Sequence, residues 1–310
     1  MAGVQPKVRS KSLGTRRPKT SPMPGAFPPA VEEYLARAEA VILPYPNGHA
    51  VEPIPLIKSD LKVGVDLGTA YLVLAVLDQK NRPLAGEYRF AQVVRDGLVV
   101  DFIGAVDILR EMKLNVEKRI GCELTHAASA FPPGVPRAEV RATANVVEAA
   151  GLTCTDLIDE PSAANNVLKQ KNTAIIDVGG GTTGIAVIRA GQVIYTADEP
   201  TGGTHFTLVI AGALDISFEE AEELKKKASE QSRLFPMVRP VMEKVGSIIS
   251  RHVAGKAVDN LTLVGGTACF PGMAGVIQEY TGLPVRVPSR PMFVTPLGIA
   301  CHDGFKEIYG

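Results

Sequence analysis

The chain has 310 residues, 45% of them hydrophobic and 21% charged, with a formal net charge of zero. That length exceeds what one small core fills and predicts one large or two smaller lobes, while no run approaches the roughly 20 apolar residues of a membrane span. The neutral balance hides an asymmetry: the first 31 residues hold six cations and no acid, so the remainder carries 33 − 6 = 27 basic against 33 acidic residues.

Residues 1–29, with Lys7, Arg9, Lys11, Arg16, Arg17 and Lys19 among prolines and serines, read as a disordered basic tail. Arg16-Arg17 is followed by Pro18, Lys19, Pro22 and Pro24 instead of an apolar segment, so a twin-arginine export signal is not expected. Residues 30–61 are expected to hold an amphipathic helix and a linker. Val31, Tyr34, Leu35, Ala38, Val41 and Ile42 fall at helical spacing over Ala30–Leu43, and Pro44 and Pro46 end the pattern. Such a helix either docks on the protein's own surface or serves a partner.

The body opens with two apolar runs, Lys62–Val65 and Ala70–Leu77, separated by Asp-Leu-Gly-Thr, a strand hairpin. A third strand, Leu84–Phe90, follows the turn at Asn81-Arg82-Pro83. Then come a helix over Ile103–Val116, a strand at His126–Phe131 and a helix over Glu139–Ala150 capped by Gly151. A strand at Cys154–Ile158 and a helix after Pro161 complete this half. The opening recurs at Thr173–Ile176, with Asp177-Val-Gly-Gly-Gly-Thr-Thr before the strand Ile185–Arg189. Ala190-Gly191 then turns the chain into Val193–Ala197. Helices are expected at His205–Gly212, Phe218–Ser229 and Val238–Ala254. A strand at Leu261–Val264 runs into Gly265-Gly266-Thr267, a helix covers Gly272–Tyr280, and Pro296 opens a last helix over Leu297–His302. The alternation is α/β, and the recurrence indicates an internal duplication that would place both Gly turns at one cleft.

Glycines at a strand end let backbone N–H groups converge on phosphate oxygens without a Cβ in the way. Thr69, Thr182 and Thr183 add hydroxyl donors, and Asp66 and Asp177 supply hard oxygen for a hydrated Mg²⁺. One Asp-x-Gly-Thr turn is a weak signal, equally an ordinary hairpin. Two copies are far stronger. No GxxxxGK[ST] segment is present, so a P-loop is not expected. Gly265-Gly266-Thr267 suits either a purine and ribose lying on bare backbone or a plain loop. Glu222 and Lys225 share one helix face, where the simplest reading is a solvated ion pair. Cys122, Cys154, Cys269 and Cys301 form no CxxC pair and have no His at ligand spacing, so neither a zinc site nor a disulfide framework is expected.

In order, these motifs resemble those of the actin, DnaK-type chaperone and sugar-kinase superfamily over about residues 62–304. Val63–Thr69 and Ile176–Gly184 are similar to its two phosphate motifs, Asp159–Ala164 to its connecting motif, and Leu263–Thr267 to its adenosine motif. Gly202-Gly203 matches its Gly turn near the β/γ phosphates, and Glu222 with Lys225 its Glu-x-x-Lys pair near ribose and adenine. The stretches Val94–Asp101, Ser129–Gly134 and Ala197–Gly203 resemble the ethanolamine-utilisation protein J family, which is regarded as chaperone-like and belongs to bacterial-microcompartment gene clusters.

The resemblance implies an actin-like ATPase fold: two duplicated ribonuclease-H-like lobes with short insertions around a nucleotide cleft. Lobe I would span 62–171 plus the C-terminal helix 295–310, and lobe II 172–294. It implies ATP and Mg²⁺ as ligands. Asp66 and Asp177 would hold the metal through water, and Gly68, Thr69, Gly179, Gly180, Gly181, Thr182, Thr183, Gly202 and Gly203 would surround the phosphates. Glu222, Lys225, Gly265, Gly266 and Thr267 would lie at the nucleoside, with Glu160 orienting the attacking water in a slow hydrolysis.

Two departures from the DnaK pattern stand out. No match is found for its catalytic Lys, and Cys269 occupies the place of an Arg near the base. The implied function is a cytoplasmic, nucleotide-switched chaperone or assembly factor, in or beside a microcompartment, acting on its enzymes or shell. The alternative is a self-assembling filament or a scaffold with little turnover. No residue presents itself as the base for a sugar hydroxyl, and neither a nucleic-acid partner nor a membrane span is expected.

Overall fold

A computed structural model describes residues 26–45 and 60–304. The expected basic tail up to residue 25, most of the linker and the end of the expected C-terminal segment lie outside the described residues.

Helix α1 (Pro29–Val41) forms where the apolar stripe predicts it, with Pro in its first turn, where a missing N–H costs nothing. It stops earlier than expected. Ile42–Pro44 is a strand, β1, lying parallel to the strand at Pro83–Phe90. Leu35 and Ala38 are fully buried and Ile42 nearly so. The helix therefore docks on the body rather than standing free.

The next unit comprises β2 (Leu61–Leu67), β3 (Tyr71–Asp78), β4 (Pro83–Phe90), the small hairpin β5 (Val94–Arg95) and β6 (Leu98–Val99), then α2 (Phe102–Ile120), β7 (His126–Phe131), α3 (Arg137–Ala149) and β8 (Thr153–Asp159). Helix α4 (Glu160–Leu168) leads into β9 (Thr173–Val178), β10 (Thr183–Arg189) and β11 (Gln192–Glu199). Then follow α5 (Gly203–Leu214), α6 (Phe218–Lys226), α7 (Ala228–Val253), β12 (Leu261–Val264), α8 (Met273–Thr281), β13 (Val285–Arg286) and α9 (Val294–His302).

Both main sheets follow one plan. In the first, β4, β3 and β2 are antiparallel and β7 and β8 continue parallel to β2, with β1 added at the β4 edge. In the second, β11, β10 and β9 are antiparallel and β12 and β13 continue in parallel. The duplicated lobes expected from the recurring Gly turns are present. Asp66 and Asp177, however, belong to strands rather than turns: Asp66 pairs with Val73 and Asp177 with Gly184. Each carboxylate is thereby held by a paired backbone.

Helix boundaries differ where long-range burial outweighs local signals. The segment expected as Phe218–Ser229 breaks at Lys227, whose backbone is extended. Helix α7 then runs from Ala228 straight through Pro236 and Pro240. Each proline forfeits a helix hydrogen bond, yet the buried stripe of Leu234, Val238, Met242, Val245 and Ile249 holds the helix to the second sheet. The last helix begins at Val294, ahead of Pro296, which sits in its first turn.

Three large apolar cores follow from this arrangement among the described residues, with a small fourth cluster of Ala128, Ala130, Ala163 and Ile299 where α4 and α9 meet the first sheet. One covers a face of the first sheet under α2 and α3, and a second covers the outer face of the second sheet under α5 to α8. The third lies between the sheets. It joins Val73, Ala75 and Leu77 of β3 to Ile175, Ile188 and Val264 of the second sheet through α1, α4 and α9. Helices α4 and α9 cross so closely that a Cβ on Gly298 would lie 1.8 Å from the Ala163 carbonyl oxygen. Asp303 at the end of α9 accepts from Val63 N at 2.9 Å and Thr155 Oγ1 at 2.8 Å, pinning that helix to the first sheet. Among the described residues no helix is long and apolar enough to cross a membrane.

Candidate functional site

The two hairpin tips that open the halves meet head to head. A Cβ on Gly180 would stand 2.7 Å from Ala70 Cβ, and one on Gly181 2.7 Å from Thr69 Oγ1. Any side chain on those two glycines would push the tips apart, which is why this turn needs a glycine run and not merely a tight bend. Beneath the tips is a cavity of about 310 Å³.

Most of the expected residues line it. Asp66, Gly68 and Thr69 come from the β2–β3 hairpin, and Asp177, Gly179, Gly180, Gly181 and Thr182 from the β9–β10 hairpin. Gly203, Glu222 and Lys225 come from α5 and α6, Gly265, Gly266 and Thr267 from the end of β12, and Glu160 from the start of α4. Residues far apart in the chain converge because both hairpins end on the same side of the third core.

Two expected residues do not face the cavity. Thr183 is fully buried within β10 and donates its hydroxyl to the Thr201 carbonyl at 2.6 Å, so it braces the sheet. Gly202 is buried behind the turn, and its N–H donates to His205 Nδ1 at 3.3 Å. Gly203 reaches the wall, but its N–H donates to the Gly179 carbonyl at 3.0 Å, and Thr204 N–H to that of Gly180 at 2.7 Å. Thr267 Oγ1 also donates to the Gly179 carbonyl, at 2.8 Å. The Gly179 N–H is itself donated to the Thr182 carbonyl at 3.0 Å, so with the Gly179 and Gly180 carbonyls anchored by α5 and Thr267 the turn offers an anion the amides of Gly180 and Gly181.

Glu222 and Lys225 are not a solvated pair. Lys225 Nζ donates to Glu222 Oε2 at 2.5 Å, Thr207 Oγ1 at 2.8 Å and the Gly203 carbonyl at 3.1 Å, and Thr207 Oγ1 lies 2.6 Å from Glu222 Oε2. The network ties α6 to the N-terminus of α5. Burial lowers the proton affinity of Lys225, and Glu222 opposes that shift.

The opposite wall is acidic. Burial raises Asp66 to about 7, with the Asp177 charge adding to the effect. Burial raises Asp177 to about 6 although Thr295 Oγ1 donates to its Oδ2 at 2.5 Å. Glu160 is raised well above its ordinary range by burial, then by Asp177, Asp66 and Asp198. Asp198 is pushed up to about 7 by burial against a hydrogen bond from Thr182. Among the described residues no cation figures in the main influences on any of the four.

Such a cluster fits a divalent cation, whose charge would hold all four carboxylates ionised. Among the described residues no three His, Cys, Asp or Glu side chains are arranged to ligate a metal directly. The fit is therefore to a cation carrying its own water, as Mg²⁺ commonly does.

Sequence reasoning missed Asp198, Thr295 and Lys226. Asp198 stands in the Ala197–Gly203 stretch but outside any phosphate-turn pattern, and Thr295 reaches Asp177 from the far end of the chain. Lys226 lines the cavity and leans across to the first sheet, its Nζ 4.8 Å from the Phe90 ring centroid and 5.9 Å from that of Tyr71. Cys269, Phe270 and Met292 line the wall near Gly265–Thr267.

Two sheets of one plan, with paired Asp-bearing hairpins meeting over a shared acidic cavity, define an actin-like ATPase fold. A family model described as "Type IV pilus assembly protein PilM" matches residues 137–295. The chain is 43% identical to the ethanolamine utilization protein EutJ of Escherichia coli K12 over 244 residues, which cover 78% of this chain and 86% of that protein. The crystal structure of EutJ from Carboxydothermus hydrogenoformans superposes with a TM-score of 0.79 at 45% identity, covering 88% of this chain and 98% of that one. The chain belongs to the EutJ family. MreB5 of Spiroplasma citri bound to AMPPNP shares the fold, with a TM-score of 0.64 at 17% identity over 78% of this chain and 95% of that one.

Proposed function

We propose that the cavity binds Mg-ATP and hydrolyses it slowly, and that the chain acts as a nucleotide-switched assembly factor for the proteins of ethanolamine utilisation. The observation that carries the reading is the cluster of Asp66, Asp177, Glu160 and Asp198, desolvated together beside a Gly turn whose Gly179 and Gly180 carbonyls are tied back. Bound Mg²⁺ would supply charge neutralisation there, the main requirement of phosphoryl transfer besides positioning.

The protein's own parts divide the remaining work. Asp66 and Asp177 hold the cation's water, and the amides of the two hairpin tips hold phosphate oxygens. Glu160, in the first turn of α4 with Asp159 capping that helix through Ser162 N at 3.0 Å, orients the attacking water. The nucleoside end is Glu222, Lys225 and Gly265–Thr267. Lobe I is taken as 62–171 with the last helix, and lobe II as 172–294.

The names of its relatives support a setting in ethanolamine utilisation. The partners are then microcompartment enzymes or shell proteins, and the location is the cytoplasm, at or in the compartment. The match of half the chain to the pilus-assembly model favours a second reading, a scaffold or filament with little turnover. That reading predicts pelleting or partner capture by Mg-ATP-bound protein without phosphate release.

Glu160→Gln separates chemistry from binding. Mg-ATP affinity should stay within about twofold while phosphate release falls by about 10²–10⁴-fold, the usual contribution of a positioned base. Unchanged release would remove Glu160 from the reaction.

A further inference from the structure

The nucleoside end of the cavity is backed by the segment Ser289–Phe293, and that segment is held from outside by the first helix of the chain. On its inner side Met292 lines the cavity, and the Pro291 carbonyl accepts from Gly265 N–H at 3.0 Å. Gly265 has a φ of 88°, and a Cβ there would strike Asp177 Oδ1. The contact from Pro291 therefore fixes a turn with no room to give.

On its outer side the segment is gripped by α1. Glu32 Oε2 accepts from Ser289 N at 3.1 Å. Glu39 pairs with Arg290, whose Nη1 also donates to Ser289 Oγ at 2.9 Å. Phe293 is buried in the core that contains Leu35 and Ala38. Just before the segment, the Arg286 guanidinium lies 5.0 Å from the centroid of the Phe27 ring.

The same helix is fastened to the first sheet. Arg37 Nε donates to the Pro83 carbonyl at 3.2 Å, Arg119 Nη2 donates to that of Val41 at 2.8 Å, and Ile42 pairs with Gly86. Leu35, Ala38 and Ile42 already dock the helix by burial. The carboxylates of Glu32 and Glu39, two turns apart, are spent instead on one short segment behind the cavity. The phosphate end is braced separately, by α5 and Thr267.

We propose that Glu32 and Glu39 are positioning residues for the nucleoside. Through Ser289 and Arg290 they hold Pro291 and Met292 against Gly265, and so set one end of the cavity while leaving the other alone. This deepens the nucleotide reading and rests on it.

The test is calorimetric titration of the full chain with Mg-ADP and with Mg-tripolyphosphate, which has no nucleoside. Glu32 is partly exposed and Glu39 exposed, so replacing them leaves the buried stripe of α1 in place. In Glu32→Ala/Glu39→Ala, Mg-ADP should bind about fivefold more weakly, the reach of two partly exposed charged contacts, while Mg-tripolyphosphate stays within about twofold. Glu39→Arg should weaken Mg-ADP, and Glu39→Arg/Arg290→Glu should restore it, which a merely structural helix would not do. Wild-type Mg-ADP affinity in the double alanine variant would overturn this assignment alone. So would an equal loss for both ligands, or a charge reversal that fails to recover Mg-ADP. No binding of Mg-ADP by the wild type would overturn the nucleotide reading and this inference together.

Discussion

At the scale of single residues, the site is defined by acids held against their preference for water. Asp66 and Asp198, raised to about 7, and Asp177, raised to about 6, take up protons on folding, because the same groups in an unfolded chain ionise near 4. Their contribution to stability is complete below about pH 4 and is lost as pH rises through about 7. The ligand-free protein should therefore melt at lower temperature as pH goes from 5 to 7.5. Millimolar Mg²⁺ with ATP should flatten that slope. A melting temperature that climbs over this window would count against the cluster. Asp66, Asp177 and Glu160 were legible in the sequence because each sits in a local pattern with glycine or proline. Thr295 and Asp198 were not, because what places them is the packing of α9 and the register of β10 against β11. Thr183 was misread for the converse reason. Its motif position is right, but strand alternation turns it inward.

At the scale of elements, the centre of the molecule is the crossing of α4 and α9. Gly298 packs on the Ala163 carbonyl, and Gly64 of β2 lies under α9, where a Cβ would stand 2.4 Å from Ala300 N. These contacts leave no room for a methyl group, so Gly298→Ala must separate the helices. Overpacking of this kind costs about 1–3 kcal/mol. It should appear as a lower denaturant midpoint with an unchanged m-value, and wild-type stability in the variant would show that the crossing is looser than described. The same scale explains the amphipathic segment. Its stripe was readable, and Leu35 and Ala38 are buried by it. Its continuation as β1 was not, because the edge of β4 that receives it lies far along the chain, and a bare glycine at Gly86 admits Ile42. Glu32 accepts from Ser289 N at 3.1 Å, and Arg290 reaches Glu39. The strap thus touches the edge of the first sheet and the chain just beyond the second.

At the scale of the whole molecule, the duplication was legible since each half announces itself with the same strand, Asp-bearing hairpin and strand. The shared third core was not, because its members come from both sheets and three helices. In the proposed switch, the two sheets would turn about α4 and α9 across this core as the hairpin tips close over a ligand, a hinge motion of the kind that converts ligand state into partner affinity. The central claim is that these tips close on Mg-ATP, and thermal melting of the full chain with and without it tests this most directly. Ligand at about 100 times its Kd stabilises the folded state by about 2.7 kcal/mol, which for a chain of this size raises the melting temperature by about 4 °C. A rise of that order, lost when Mg²⁺ is chelated, is the predicted result. An unchanged melting temperature at millimolar Mg-ATP would contradict the account.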